Sequence, residues 1–207
     1  MDVSDYQEGV NFMDVQAFVG EEEVIKMNAE LAERRDFTVV DIENLPENVR
    51  AELIDGQIFY FAAPMVIHQE ILVEISNRLY NHIKSKDGMC KMIVAPVKVC
   101  LIEDGKNYLE PDIIVVCDKE KIKEDGCHGA PDLVIEIASK STKNRDYGIK
   151  MLKYRTAGVK EYWIVDPMRE TIMVYWFDDE EQNCLYGFQE EVKFHLFPEL
   201  AVKLKDE

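Results

Sequence analysis

The sequence has no run approaching 18 consecutive apolar residues, so no transmembrane helix is expected. Met1 to Asp14 lacks the basic start and apolar stretch of a signal peptide, which points to a cytoplasmic protein. No two of the cysteines (Cys90, Cys100, Cys117, Cys127, Cys184) have CxxC spacing, and their odd number suggests free thiols in a reducing compartment. Cys127 and His128 make a poor zinc pair, because adjacent residues seldom turn to one ion. Internal repeats, low-complexity stretches and a glycine-rich phosphate loop are all missing. Ser139 and Ser141 lack the G-x-S-x-G context of a nucleophile and read as loop and cap residues.

What remains is a globular composition in 207 residues, enough for one full domain with a real core. The formal net charge of −17 at first opposes nucleic-acid binding, which rewards positive charge. The distribution of that charge weakens the objection. Residues 1–36 carry −7 and residues 178–207 carry −6, leaving −4 for the middle of the chain. Within that middle, residues 140–160 hold seven bases and one acid, Asp146. Such a segment is either a contact for phosphates or a solvated helix face.

Residues 14–35 read as a polar helix with a weak apolar stripe, forming an acidic N-terminal extension over 1–36 ahead of a main domain over 37–207. Asp55-Gly56 between apolar runs marks a hairpin, since type I′ turns need positive φ. Ile67, Ile71, Leu72, Ile75, Leu79 and Ile83 recur at helical spacing, predicting a helix over 67–84. The run 91–102 is broken by Pro96 and reads as a strand with a bulge or an exposed edge. Residues 108–117, 131–138 and 161–166 read as strands of one sheet, with a further strand over 171–177. Ser141 and Gly158 suit the two ends of a helix over 141–157, in which positions 143, 147, 150 and 154 share a face and Tyr147 and Tyr154 anchor it inward. Strands interleaved with helices indicate a mixed sheet flanked by helices, an α/β fold.

Two carboxylates stand out. Alternation puts Asp112 on one face of its strand with Ile114 and Val116, and Glu136 on one face with Val134 and Ala138. A charge inside an apolar strand is costly unless it is paired or binds a metal. Two carboxylates on neighbouring buried strands suit Mg²⁺, which takes a few carboxylates and keeps several waters. The plainer alternative pairs each with a lysine or a strand-end backbone group. Lys150 has a plain alternative too, an exposed i,i+4 pair with Asp146.

The stretches AELIDGQ, PMVIHQEIL, APVKV, EPDIIVV, GAPDLVIEIAS and STKNRDYGIKMLKYRTAGVKEYWIVDP resemble, in order, the Uma-type bacterial family named as restriction endonucleases. That family was formerly a domain of unknown function and belongs to the PD-(D/E)XK nuclease superfamily. The resemblance covers roughly residues 37–177. It implies a restriction-endonuclease-like core and a Mg²⁺- or Mn²⁺-dependent endonuclease acting on DNA, with a homodimer favoured if both strands are cut. It also implies that Pro111-Asp112 is the PD element, with Asp112 a metal ligand, and that Glu136 is the second acid. The usual lysine two residues later is here Ala138, and the matching lysine is Lys150 on the next helix. Glu52 matches a family glutamate and is implied as a third, outer ligand. His68 matches a family histidine before the first long helix, and a helix-start or core role suits it equally.

Two other classes compete. One is a nuclease-fold protein that binds without cutting, suggested by Ala138 and the acidic surface. The other is an acidic DNA mimic that binds a nucleic-acid enzyme.

Overall fold

A computed structural model of the chain describes residues 36–46, 49–86 and 88–206. The expected helix over 14–35 lies outside the described residues. No described helix is long and apolar enough to cross a membrane. The chain forms two compact units, one built from the segments up to Ala63 together with Glu103–Leu109, the other from Pro64–Ile102 and the chain from Glu110 onward.

The smaller unit holds helix α1 (Val39–Glu43) and the hairpin β1 (Ala51–Ile54) and β2 (Gln57–Tyr60). Asp55 and Gly56 both take positive φ, 50° and 76°, as the Asp-Gly pair predicts. Thr38 and Asp41 form a reciprocal capping box at the start of α1. Leu53 exchanges both backbone hydrogen bonds with Tyr108, each 2.8 Å, which ties the 103–109 segment to the hairpin. Ile42, Ala51 and Leu53 form the small core.

In the larger unit, helix α2 (Val66–Ser85) is followed by β3 (Lys91–Val94) and β4 (Val99–Cys100). Next come β5 (Ile113–Val116), β6 (Ile122–Lys123), β7 (Gly126–His128) and β8 (Leu133–Ile137). Helix α3 has three parts: an α turn Lys143–Arg145, a π turn Asp146–Lys150 and an α segment Met151–Ala157. The unit continues through β9 (Glu161–Asp166), β10 (Thr171–Trp176), β11 (Cys184–Gly187), β12 (Val192–Lys193) and β13 (Ala201–Val202).

The main sheet has six strands in the order β11-β10-β9-β8-β5-β3. Within this sheet, among the described residues, only β8 and β9 pair in parallel, and α3 is the crossover between them. Pro96 divides the 91–102 run. Its first half becomes the edge strand β3, and its second half joins a separate sheet, β4-β7-β6.

Alternation gives the sheet two faces. Ile113, Val115, Leu133, Ile135, Ile137, Trp163 and Val165 point to one face and meet Ile71, Ile75, Leu79 and Ile83 of α2. These four are buried, and each contributes about 1.5–3 kcal/mol by the usual burial scale. The opposite face carries Val134, Glu136, Tyr162 and Asp166 and is covered by α3. The ring of Tyr154 sits 5.0 Å from that of Tyr162.

Three local expectations are corrected. The N-cap position of α3 falls at Thr142 rather than Ser141. Ser139 folds back there, its N–H donating to Thr142 Oγ1 (3.0 Å) and its Oγ accepting from the Thr142 N–H (3.2 Å). The buried positions of α3 are Asp146, Lys150 and Tyr154, where ideal α periodicity puts 143, 147, 150 and 154 on the inner face. A π turn takes in more residues per turn than an α-helix, so the buried face advances by four. Lastly, Cys90 and Cys117 are joined in a disulfide and are not free thiols, while Cys100, Cys127 and Cys184 form no disulfide among the described residues. The β3–β5 register pairs Lys91 with Val116, and one further step sets Cys90 against Cys117.

Candidate active site

The site forms where β5, β8 and α3 meet. Strands β5 and β8 run antiparallel with Ile113 opposite Ile135. Extending that register by one pair sets Asp112 against Glu136 on the same face, where directly opposed side chains are close neighbours. Asp112 ends the ladder with its own side chain. Its Oδ2 accepts the N–H of Ile137 at 2.7 Å, and its backbone carbonyl accepts the N–H of Ala95 at 2.9 Å. Its Oδ1 lies 3.3 Å from Nε2 of His68, in the first turn of α2. Nδ1 of His68 is buried with no hydrogen-bond partner among the described residues.

Glu136 is only 4% exposed, in the centre of the sheet. Two side chains from α3 converge on one of its oxygens. The Lys150 ammonium lies 2.6 Å from Oε1, and the Tyr154 hydroxyl donates to the same atom at 2.8 Å. Asp146, also buried, places its Oδ1 3.7 Å from the Lys150 ammonium. Lys150 reaches Glu136 because α3 returns antiparallel to β8. At the start of α3 Lys143 pairs with Asp166 (2.9 Å), at the C-terminal end of β9, and farther along α3 meets Glu136 in mid-strand. The Asp146 carbonyl accepts the hydroxyl of Tyr162 at 3.0 Å, which pins the π turn to β9. Gly158, at φ 94°, closes α3, and Val159 N–H bonds back to the Tyr154 carbonyl at 3.0 Å.

Of the residues singled out in the sequence, Asp112, Glu136, Lys150 and His68 are thus connected through direct contacts or register. Glu52 is buried on β1 of the other unit. Asp146 and Tyr154 are additions. Sequence spacing marks Asp146 as an exposed partner of Lys150 and Tyr154 as an inward anchor, and neither reading reaches their buried contacts.

The basic segment 140–160 is extensively paired. Lys143 meets Asp166, Lys150 meets Glu136, Arg155 meets Glu180, and Lys160 meets Asp132 at 2.8 Å. Burial pushes the Asp132 carboxyl upward, but Lys160 and the Cys117 N–H outweigh it, so it sits below its ordinary value. Burial, with Asp166 nearby, raises the Tyr147 phenol.

The residue types suit a hard divalent cation: Asp112 and Glu136 are carboxylates at positions opposed by extension of the β5–β8 register, and Glu136 carries a cationic neighbour, Lys150. Among the described residues no three His, Cys, Asp or Glu side chains cluster tightly enough to hold an ion alone. Mg²⁺ is commonly bound by one or two carboxylates with waters or substrate oxygens, so two are sufficient.

Residues 38–204 match the model of Uma2, described as "Putative restriction endonuclease". An uncharacterized Synechocystis protein, slr1290, is 27% identical over 146 residues, spanning 70% of this chain and 75% of that protein. A crystal structure from Anabaena variabilis, described as "a putative nuclease belonging to DUF820", superposes with a TM-score of 0.66. It is 23% identical and the match covers 82% of this chain and 96% of that one, so it shows a shared fold.

Proposed function

Since the chain belongs to the Uma2 family, we propose that it is a metal-dependent endonuclease that hydrolyses phosphodiester bonds of DNA. One observation carries the reading: a buried ammonium, Lys150, sits on a buried carboxylate, Glu136, whose strand neighbour in register is Asp112. Burying such an ion pair beside a half-buried carboxylate is costly for folding alone and is the kind of arrangement found at reactive centres.

In this reading Asp112 and Glu136 hold Mg²⁺ or Mn²⁺. The ion, when bound, activates a water and neutralises charge on the phosphate. Lys150 orients the attacking water and stabilises the negative charge that develops on the phosphoryl oxygens. His68 holds Asp112 through its Oδ1 and keeps that carboxylate turned toward the site. A homodimer would bring two such centres to the two strands of a duplex.

Purified protein incubated with plasmid and oligonucleotides, with and without Mg²⁺ or Mn²⁺, tests this. Cleavage is expected only with metal, with Asp112→Asn and Glu136→Gln each losing at least ~10²-fold. Wild-type protein that cuts no nucleic acid with either ion, or variants that cut at its rate, would sink the assignment. A second reading, a nuclease fold that does not cut DNA, draws on the paired cations of segment 140–160, which leave fewer charges for phosphates. It predicts weak DNA retention and no metal-dependent products in the same assay.

A further inference from the structure

We propose that the outward face of α2 is a self-association surface, on which a second copy of this chain lays its own α2 antiparallel, centred on Val73. The proposal concerns an interface and does not depend on cleavage chemistry.

Its starting point is what α2 leaves uncovered. The inner stripe of the helix, Ile71, Ile75, Leu79 and Ile83, is buried against the sheet. At about 100° per residue, Val66, Val73 and Tyr80 fall on the opposite side. Seven residues separate each from the next, close to two full turns, so the three stack in a row along the helix. They are 75%, 66% and 50% exposed. Single exposed apolar side chains are ordinary on a protein surface. Three in a row at the heptad spacing of a helix–helix seam form the pattern that a second helix covers.

Charge identifies which helix. From Val66 to Asn77 the acids Glu70 and Glu74 occur with neither lysine nor arginine, and from Arg78 to Ser85 the bases Arg78 and Lys84 occur with no acid. An acidic first half and a basic second half make α2 complementary to itself when antiparallel and self-repelling when parallel. The same polarity suits the helix macrodipole, but the macrodipole makes no demand for Val66, Val73 and Tyr80. In a pairing centred on Val73, that residue meets its own copy and Val66 meets Tyr80. Glu70 then lies within two residues, about 3 Å of rise, of the position opposite Arg78. Arg78 already holds Glu74 at 2.5 Å, with both side chains 44% exposed. A guanidinium carries five donors, enough for Glu74 and for Glu70 of a second copy. Such a contact uses the same patch on both molecules, so it closes as a two-fold dimer and does not propagate. One helix per partner is a small contact, and association in the micromolar range is expected.

The test is sedimentation equilibrium of the full chain from about 1 to 500 µM. The wild type is expected to pass from monomer to dimer over that range. Val73→Glu alters an exposed position and sets two like charges against each other at the centre of the seam. It should weaken the dimer at least ~10-fold, with circular dichroism confirming its fold. Leu185→Glu is the control, since Leu185 is comparably exposed but lies on the edge strand β11. It is expected to associate as wild type does. Arg78→Glu and Glu70→Arg should each weaken association, and the two together should recover most of it, because the reversal keeps the pair across the seam. A full chain that is monomeric at every concentration overturns the proposal. So does a dimer that Val73→Glu leaves intact, that Leu185→Glu disrupts equally, or that the double reversal fails to recover. The nuclease reading is untouched by any of these results and stands or falls on the cleavage assay.

Discussion

Removing the Lys150 side chain is the most informative perturbation of stability. Lys150 is 1% exposed, 2.6 Å from one carboxylate and 3.7 Å from a second. At an effective dielectric of about 20, its attraction to Glu136 is on the order of 6 kcal/mol and to Asp146 about 4 kcal/mol. Desolvation of each ion cancels much of this, several kcal/mol apiece, so the intact cluster contributes little net stability. The balance changes once one member is lost. Lys150→Met removes the ammonium from two buried carboxylates, and Glu136 then keeps the neutral Tyr154 hydroxyl from this pair of donors. Urea denaturation at neutral pH should show a loss of about 3–5 kcal/mol. Glu136→Gln should cost less, because Asp146 still faces the ammonium. Combining Lys150→Met with Glu136→Leu should restore part of the loss, since a well-packed apolar pair can replace a buried ion pair. A Lys150→Met variant within ~1 kcal/mol of wild type would refute the reasoning, as surface lysines behave that way. The same burial affects any activity assay at this position: loss of cleavage must be separated from loss of fold.

Other outcomes are equally definite. Asp132 has a depressed folded value, so its contribution is present above the unfolded value near ~3.9 and is lost as pH falls through the folded one; the stability gap between wild type and Asp132→Asn, from urea melts, should close below about pH 4. Asp125, held down to about 2 by His128 and then Lys98, should titrate there by carbon-detected NMR, and His128→Ala should move it upward. Leu79→Ala, in the fully buried stripe of α2, should cost about 2–5 kcal/mol in the same denaturation assay. Gly126 sits at φ 149°, where an added Cβ would lie 2.4 Å from the Lys98 carbonyl oxygen. Gly126→Ala should therefore lower the melting temperature, and an unchanged value would argue against this close approach of β7 to the chain before β4.

The sequence made legible whatever depends on near neighbours. The α2 stripe, the Asp55-Gly56 turn, the β8 run and the Gly158 cap each follow from residues within a few positions of one another. That Asp112 and Glu136 belong to adjacent strand segments needed one further idea, the pairing of the two runs. The rest is long-range. A π turn leaves no mark in hydropathy, so the shift of the buried face of α3 to Asp146, Lys150 and Tyr154 was hidden. Cys90 and Cys117 are 27 residues apart and meet only through sheet register. The pairing of Lys160 with Asp132 and of Arg155 with Glu180 likewise depends on which strands and loops become neighbours. A count of bases in the segment 140–160 could not anticipate that so many are already neutralised.

The 103–109 segment has a practical consequence for dissecting the protein. The polypeptide leaves the smaller unit after Ala63, returns to it for seven residues and leaves again. Neither unit is therefore a continuous stretch of chain, and no single cut separates them cleanly. A fragment starting at Pro64 keeps Tyr108 but discards Leu53, stripping both backbone bonds from that stretch. Such an edge invites pairing with other molecules. Limited proteolysis or deletion mapping should meet this as insolubility of N-terminal truncations, a behaviour that arises from chain threading and says nothing about the catalytic residues.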